Sequence, residues 1–184
     1  MSLKINIVSL GCSKNTVDSE FLAGHLINKG YEVDYDAIKG NFDVVIVNTC
    51  GFIGDAKEES INTILLQCAY KQTNKVEKVI VCGCLSQRYK EDLKKEIPLV
   101  DEFFGVFEWE KILEYLDTHV EGKYYKSRFI STPKHYAYLK IAEGCDRQCS
   151  YCAIPIIRGK NISRPIEDLV EEAKELVSSG VKEI

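Results

Sequence analysis

Asp43 to Asn48 (DVVIVN) is the stretch that most limits the fold. Its β-branched and apolar residues run without polar alternation, so neither face of a strand built from them suits water. Such a run belongs inside a parallel sheet with helices on both sides. Further strands are expected at 3–9 (LKINIVS), 31–35 (YEVDY), 76–84 (VEKVIVCGC) and, more weakly, at 100–105 (VDEFFG). Helices fill the gaps: from about Val17 to Lys29 with Gly30 as the stop, Asp55 to Lys71, Ser86 to Glu96 and Trp109 to His119.

Alternating strands and helices predict an α/β chain with a parallel sheet. Five strands within about 120 residues suit the flavodoxin-like doubly wound fold, strand order 2-1-3-4-5. This first domain is expected over residues 1–119. Residues 120–135 hold Gly122, Pro133, basic and hydroxyl side chains, and read as a linker. A second domain is expected over 136–184. It opens on a strand, HYAYLKIAEGC (135–145), that runs straight into a cysteine-rich loop. SRPIEDLVEEAKELVSSG (163–180) reads as a helix with Ser163 as cap, Pro165 near the first turn and Gly180 at the stop. Ile166, Leu169, Val170, Ala173, Leu176 and Val177 recur at helical spacing and are expected to face a core. VKEI (181–184) begins another strand. A β-loop-α-β unit cannot bury its faces alone. It looks like the first unit of a β/α (TIM-like) barrel, which needs about 200 residues or more. The chain is therefore expected to be the N-terminal piece of a longer, truncated protein, and inactive by itself.

The formal net charge is -4, which argues against a broad phosphate-binding surface. No apolar run reaches membrane-spanning length, and the apolar N-terminal stretch is too short for a signal peptide. These features predict a cytoplasmic protein with no membrane partner. Eight cysteines in a reducing compartment are not a disulfide framework. They are core residues, metal ligands or catalytic thiols.

Three of them, Cys145, Cys149 and Cys152, lie in EGCDRQCSYC with C-x3-C-x2-C spacing. Three thiolates on one loop suit a cubane [4Fe-4S] cluster and leave one iron without a protein ligand. A structural zinc site wants four ligands. No histidine lies inside the loop, and His135 stands well before it. The competing reading is a zinc knuckle with a distant fourth ligand. Three more cysteines follow strands: Cys12 in LGCSKN, Cys50 in NTCGFI and Cys84 in CGCL. In the order 2-1-3-4-5 these strands are neighbours, so all three thiols leave the sheet at its C-terminal edge, where doubly wound folds bind ligands. The competing reading is three unrelated buried cysteines. Cys68, mid-helix, and Cys82, inside a strand and sharing face parity with Cys84, read as core.

The loop Cys145–Cys152 resembles the cluster loop of the radical S-adenosylmethionine enzymes. That resemblance makes Cys145, Cys149 and Cys152 the cluster ligands and sets Tyr151 near the adenine of S-adenosylmethionine, with packing as its alternative role. The order GC-x3-N, NTC, GC-L and then the radical loop resembles the methylthiotransferase family, over essentially the whole chain. The family's auxiliary [4Fe-4S] ligands fall on Cys12, Cys50 and Cys84. The resemblance therefore implies two [4Fe-4S] clusters, S-adenosylmethionine as cofactor, an electron donor such as flavodoxin, and a C-terminal substrate-binding domain. The words SLGCSKNTVDSE and NTCGFI look like the branch that modifies an aspartate of a small-subunit ribosomal protein, with that protein or the ribosome as partner. The alternative branch modifies an adenosine of tRNA. The implied chemistry methylates a sulfur held at the auxiliary site, then passes the methylthio group to a carbon radical formed at the substrate's β-carbon. Arg147, Arg158 and Lys160 near the radical loop are candidates for meeting a carboxylate, or are solvated. Lys14 and Asn15 are candidates for shaping the auxiliary site, as are Asn48 and Thr49 through hydrogen bonds to sulfur. A reading from another class remains, a metal-carrying interaction module or an electron-transfer protein.

Overall fold

A computed structural model describes residues 2–116 and 128–184. Five strands form one sheet: β1 (Lys4–Ser9), β2 (Glu32–Tyr35), β3 (Phe42–Thr49), β4 (Val76–Gly83) and β5 (Glu102–Phe103). Their order is β2-β1-β3-β4-β5 and every pairing is parallel. This is the expected doubly wound sheet. Alternation along β3 and β4 divides the core in two. Val44, Ile46, Ile80 and Cys82 point to one face, under α1 (Ser13–Asn28) and α4 (Trp109–Tyr115). Val45, Val47, Val79 and Val81 point to the other, under α2 (Gly54–Gln72) and α3 (Cys84–Glu96). The unbroken apolar run is thus explained, because both faces of these strands are covered.

The helix starts differ from expectation, and the differences fall at the cysteines. Helix α1 begins at Ser13, not near Val17, because the Cys12 carbonyl already accepts the Thr16 N–H at 3.1 Å. Helix α3 begins at Cys84 itself, since β4 ends at Gly83. Cys82 and Cys84 therefore do not share a strand face: Cys82 packs in the core, and Cys84 opens a helix. Cys68 on α2 is buried in the opposite core. The expected helical residues 117–119 and residues 120–127 of the expected linker lie outside the described residues.

The later segment departs further. Arg128 to Ser131, read as linker, is tied to α1. The Phe129 N–H donates to the Glu20 carbonyl at 3.1 Å, and Arg128 Nη2 meets Glu20 Oε2 at 2.6 Å. The expected strand 135–145 is paired at its two ends only. Tyr136 bridges Glu183, and β6 (Ala142–Glu143) runs antiparallel to β7 (Ile162–Ser163). A ladder needs a partner strand, and 181–184 offers one bridge. A short helix not expected from sequence, α5 (Ile154–Arg158), follows the cysteine loop. Helix α6 (Ile166–Ser178) forms as expected, but Pro165 is its N-cap, Ser163 lies in β7, and no side chain caps it. Its apolar stripe is only partly covered. Leu176 packs with Ala137 and Val181, whereas Ile166, Val170 and Val177 are 73, 47 and 59% exposed. One bridge is too little sheet to cover that face.

Candidate functional site

Cys12 stands between β1 and α1, Cys50 directly after β3, and Cys84 at the start of α3. Because β1, β3 and β4 are adjacent, these turns meet at one sheet edge. They line a cleft of about 1170 Å³ together with Phe52, Ile53 and Arg158. Cys12 is exposed; Cys50 and Cys84 are buried. The turns are closely packed. Gly11 has φ +92°, and a Cβ there would stand 2.7 Å from Cys50 Cβ. A Cβ at Gly51 would stand 2.7 Å from the Cys84 carbonyl oxygen. Only glycine lets these loops approach so closely.

Asn15 organises the edge. Its Nδ2 donates to the Leu10 carbonyl at 2.8 Å and the Thr49 carbonyl at 3.0 Å. Its Oδ1 accepts from Arg158 Nη2 at 2.7 Å and from the Cys84 thiol at 3.8 Å. Asn48 and Thr49 do not reach sulfur, contrary to expectation. Asn48 Nδ2 donates to the Asn15 carbonyl and to Ser19 Oγ, and Thr49 Oγ1 donates to the Cys82 carbonyl at 2.5 Å. They are the last two residues of β3, and they tie it to α1 and β4. Lys14 lines the cleft, and its Nζ donates to the Ala142 carbonyl at 2.9 Å.

Burial pushes the Cys84 thiol up, Arg158 pulls it down, and Cys12 and Cys50 push it up again, for a net rise. The surroundings suit an anionic guest. Helices α1, α2 and α3 all begin at this edge, none with a side-chain cap. The positive ends of three helix dipoles therefore lie at this edge, where Asp55 and Glu59 also line the cleft. Among the described residues, no three His, Cys, Asp or Glu side chains are arranged to grip one metal ion. Zinc requires thiolates about 2.3 Å from a single centre. A cubane takes one cysteine per iron, and three thiols from three separate turns are a donor set that suits it.

The second triplet sits on one loop. Its base is the β6–β7 pair, and the Cys145 N–H donates to the Gly159 carbonyl at 3.0 Å. Gly144 has φ +70°, and a Cβ there would stand 2.0 Å from the Lys160 carbonyl oxygen. Cys149 is exposed and the other two are half-buried. Tyr151 is 85% exposed. Arg147 and Lys160 are exposed. Arg158 is not: it is 2% exposed and crosses to the sheet domain. Sequence reasoning missed that role. It also missed Asp18, Glu20 and Glu143, because nothing local distinguishes a charge that meets a distant partner from one that meets water. The one trace in the sequence is Glu20 beside the apolar run Phe21, Leu22 and Ala23, and the structure buries all four on α1.

The model of the uncharacterized protein family UPF0004 matches residues 4–105. The chain belongs to that family. The radical SAM superfamily model matches residues 139–184. The chain is 56% identical to the ribosomal protein uS12 methylthiotransferase RimO of Phocaeicola vulgatus, over 97% of this chain and 41% of that relative. It is 51% identical to the protein of the same name from Porphyromonas gingivalis, over 98% of this chain and 42% of the relative. The chain thus spans about two-fifths of the length of these relatives. The resemblance drawn from the cysteine motifs agrees with those names. Among solved structures, the radical S-adenosylmethionine methyltransferase TsrM of Kitasatospora setae, bound to cobalamin and a [4Fe-4S] cluster, aligns with a TM-score of 0.58. It is 13% identical and covers 98% of this chain and 48% of its own, a likeness of fold. No helix among the described residues is long and apolar enough to cross a membrane.

Proposed function

We propose that the full-length protein transfers a methylthio group to the β-carbon of an aspartate in ribosomal protein uS12 by radical S-adenosylmethionine chemistry. The observation that carries this reading is the presence of two separate cysteine triplets, one at the edge of a sheet and one on a single loop. Cys12, Cys50 and Cys84 hold an auxiliary [4Fe-4S] cluster; Cys145, Cys149 and Cys152 hold the cluster that binds S-adenosylmethionine, with Tyr151 beside the adenine. Residues 1–119 form the auxiliary domain, 120–135 the connection, and 136–184 the start of the barrel. A reduced carrier such as flavodoxin supplies electrons, the ribosome or its small-subunit protein is the partner, and the enzyme works in the cytoplasm. The names of the relatives support this substrate over tRNA.

The bound clusters and cofactor supply the radical and sulfur chemistry; the chain supplies ligands, placement and exclusion of water. Gly11 and Gly51 keep the turns close enough for three distant thiols to share one cleft. The uncapped helix ends and Arg158 offset the negative charge that three thiolates bring. Three cysteines in each set leave one iron open for a non-protein ligand.

The test is iron and acid-labile sulfide per chain after anaerobic reconstitution of the full-length protein, with and without Cys145/Cys149/Cys152→Ala. Roughly eight irons should fall to about four, the count of one cubane. About four falling to none would remove the auxiliary cluster from the reading. Mass spectrometry of uS12 and of tRNA after turnover then separates the two substrates.

A further inference from the structure

We propose that Arg158 is a positioning residue that locks the Cys12/Cys50/Cys84 cleft to the Cys145/Cys149/Cys152 loop and sets the distance between the two sites; this rests on the two-cluster reading above. Arg158 ends α5, the helix that follows Cys152. Its guanidinium enters the other domain and is almost wholly buried. Nη2 donates to Asn15 Oδ1 at 2.7 Å and to Asp18 Oδ2 at 3.3 Å, both on α1. Nη1 donates to both oxygens of Glu143 at 2.9 Å, in β6 just ahead of Cys145. One planar fork therefore joins the helix behind one triplet to both flanks of the other. Arginine alone offers several donors in a fixed plane, whereas lysine offers a point charge on a flexible stem.

The same side chain lines the cleft beside Cys84, and Asn15 Oδ1 receives both Arg158 and the Cys84 thiol. A displacement of α5 is thereby passed to the cleft wall through two contacts. A second tie runs parallel. Lys140 pairs with Asp18 and with Glu143, and Lys14 reaches the Ala142 carbonyl. Asp18 and Glu143 are thus shared by Arg158 and Lys140, and Lys14 stands 4.0 Å from Glu143. Arg158 brings a positive charge to the cleft wall, which Lys14, Asp55 and Glu59 also line. Net charge is one of the levers that tune a cluster's potential. A solely structural ion pair would change stability and leave the spacing and potential of the sites alone.

The experiment uses the reconstituted full-length protein and three variants: Arg158→Gln, Arg158→Lys and Asp18→Asn. Iron content, the dipolar coupling between the two reduced clusters, and the midpoint potential of the auxiliary cluster are measured. Arg158→Gln should broaden the inter-cluster distance distribution and lower the auxiliary potential. Arg158→Lys should restore the potential and not the narrow distance. Asp18→Asn should broaden the distance by freeing the fork from α1. The last two conserve charge or shape and serve if Arg158→Gln fails to fold. Unchanged distance distributions in Arg158→Lys and Asp18→Asn overturn the proposal. If the wild type binds one cluster only, the two-cluster reading fails separately. Hydrogen exchange at α5 in the apo chain then tests the lock, with about tenfold faster exchange in the variants expected and unchanged protection overturning it.

Discussion

The two cysteine triplets reach similar chemistry by opposite routes. Cys145, Cys149 and Cys152 lie on one loop, closed by two short strands and partly open to water. Cys12, Cys50 and Cys84 come from three turns far apart in sequence, and two of the three are buried. The local triplet depends on a few backbone hydrogen bonds. The dispersed triplet exists only when β1, β3 and β4 are in register. A dispersed site therefore inherits the rigidity and the cooperativity of its sheet, and a local site inherits the mobility of its loop.

The buried pair that joins α1 to the later segment is expected to break this contrast most strongly. Glu20 is fully buried and accepts from Arg128 Nε at 2.8 Å, from Arg128 Nη2 at 2.6 Å and from the Ser131 N–H at 2.8 Å. Glu20→Ala leaves Arg128 short of a partner in a dry site and should cost about 3–5 kcal/mol in urea unfolding. A loss below about 1 kcal/mol would mean that the two segments are not held through this pair.

Next in size are the glycines. Gly11→Ala forces a positive φ on a side chain and a clash with Cys50, costing about 1–3 kcal/mol. It should remove the auxiliary irons and spare the radical loop. Gly144→Ala meets the Lys160 carbonyl and should do the reverse. Iron counts on the two full-length variants check this, and equal losses in both would erase the distinction between the sites.

Thiol labelling of the apo chain sharpens the comparison without mutation. Cys149 and Cys12 are exposed, whereas burial holds the Cys84 thiol above its ordinary value and Cys82, buried and near Asp18 and Cys84, still further above it. Alkylation followed by peptide mapping should find Cys149 and Cys12 at least about tenfold faster than Cys82 and Cys84, since the thiolate is the reactive form. Similar rates would show a sheet edge looser than described.

The smallest expected effect lies away from both triplets. Hydrogen bonds from Lys111 and from the Gly105 N–H hold the Glu108 carboxyl down to about 2. Its folded value is below the unfolded one. Its stabilisation is therefore full above the ordinary carboxylate range and is lost as pH falls through that range toward 2. Glu108 is partly exposed, so Glu108→Gln should cost under about 1 kcal/mol at neutral pH. Acid titration of both proteins by circular dichroism should find the difference vanishing near pH 2, with iron content unchanged at neutral pH.

DVVIVN and its neighbours determined the doubly wound sheet, because a run with no polar side demands cover on both faces. Strand order then placed Cys12, Cys50 and Cys84 at one edge, and the spacing of Cys145, Cys149 and Cys152 marked the second triplet without any fold. Helix starts were read a few residues late at Val17 and Ser86, since Gly-Cys looks like a turn and the Cys12 carbonyl's first helical bond leaves no local mark. The strand expected over 135–145 was read from composition, but pairing requires a neighbour, which sequence periodicity does not supply. Asn15 was a candidate beside Cys12 from sequence, but its partners, and the roles of Arg158, Glu20 and Arg128, were decided by tertiary structure alone. Apolar burial leaves a periodic trace because it is a property of one segment against water. A buried ion pair is a property of two segments at one point in space, and neither sequence carries it alone.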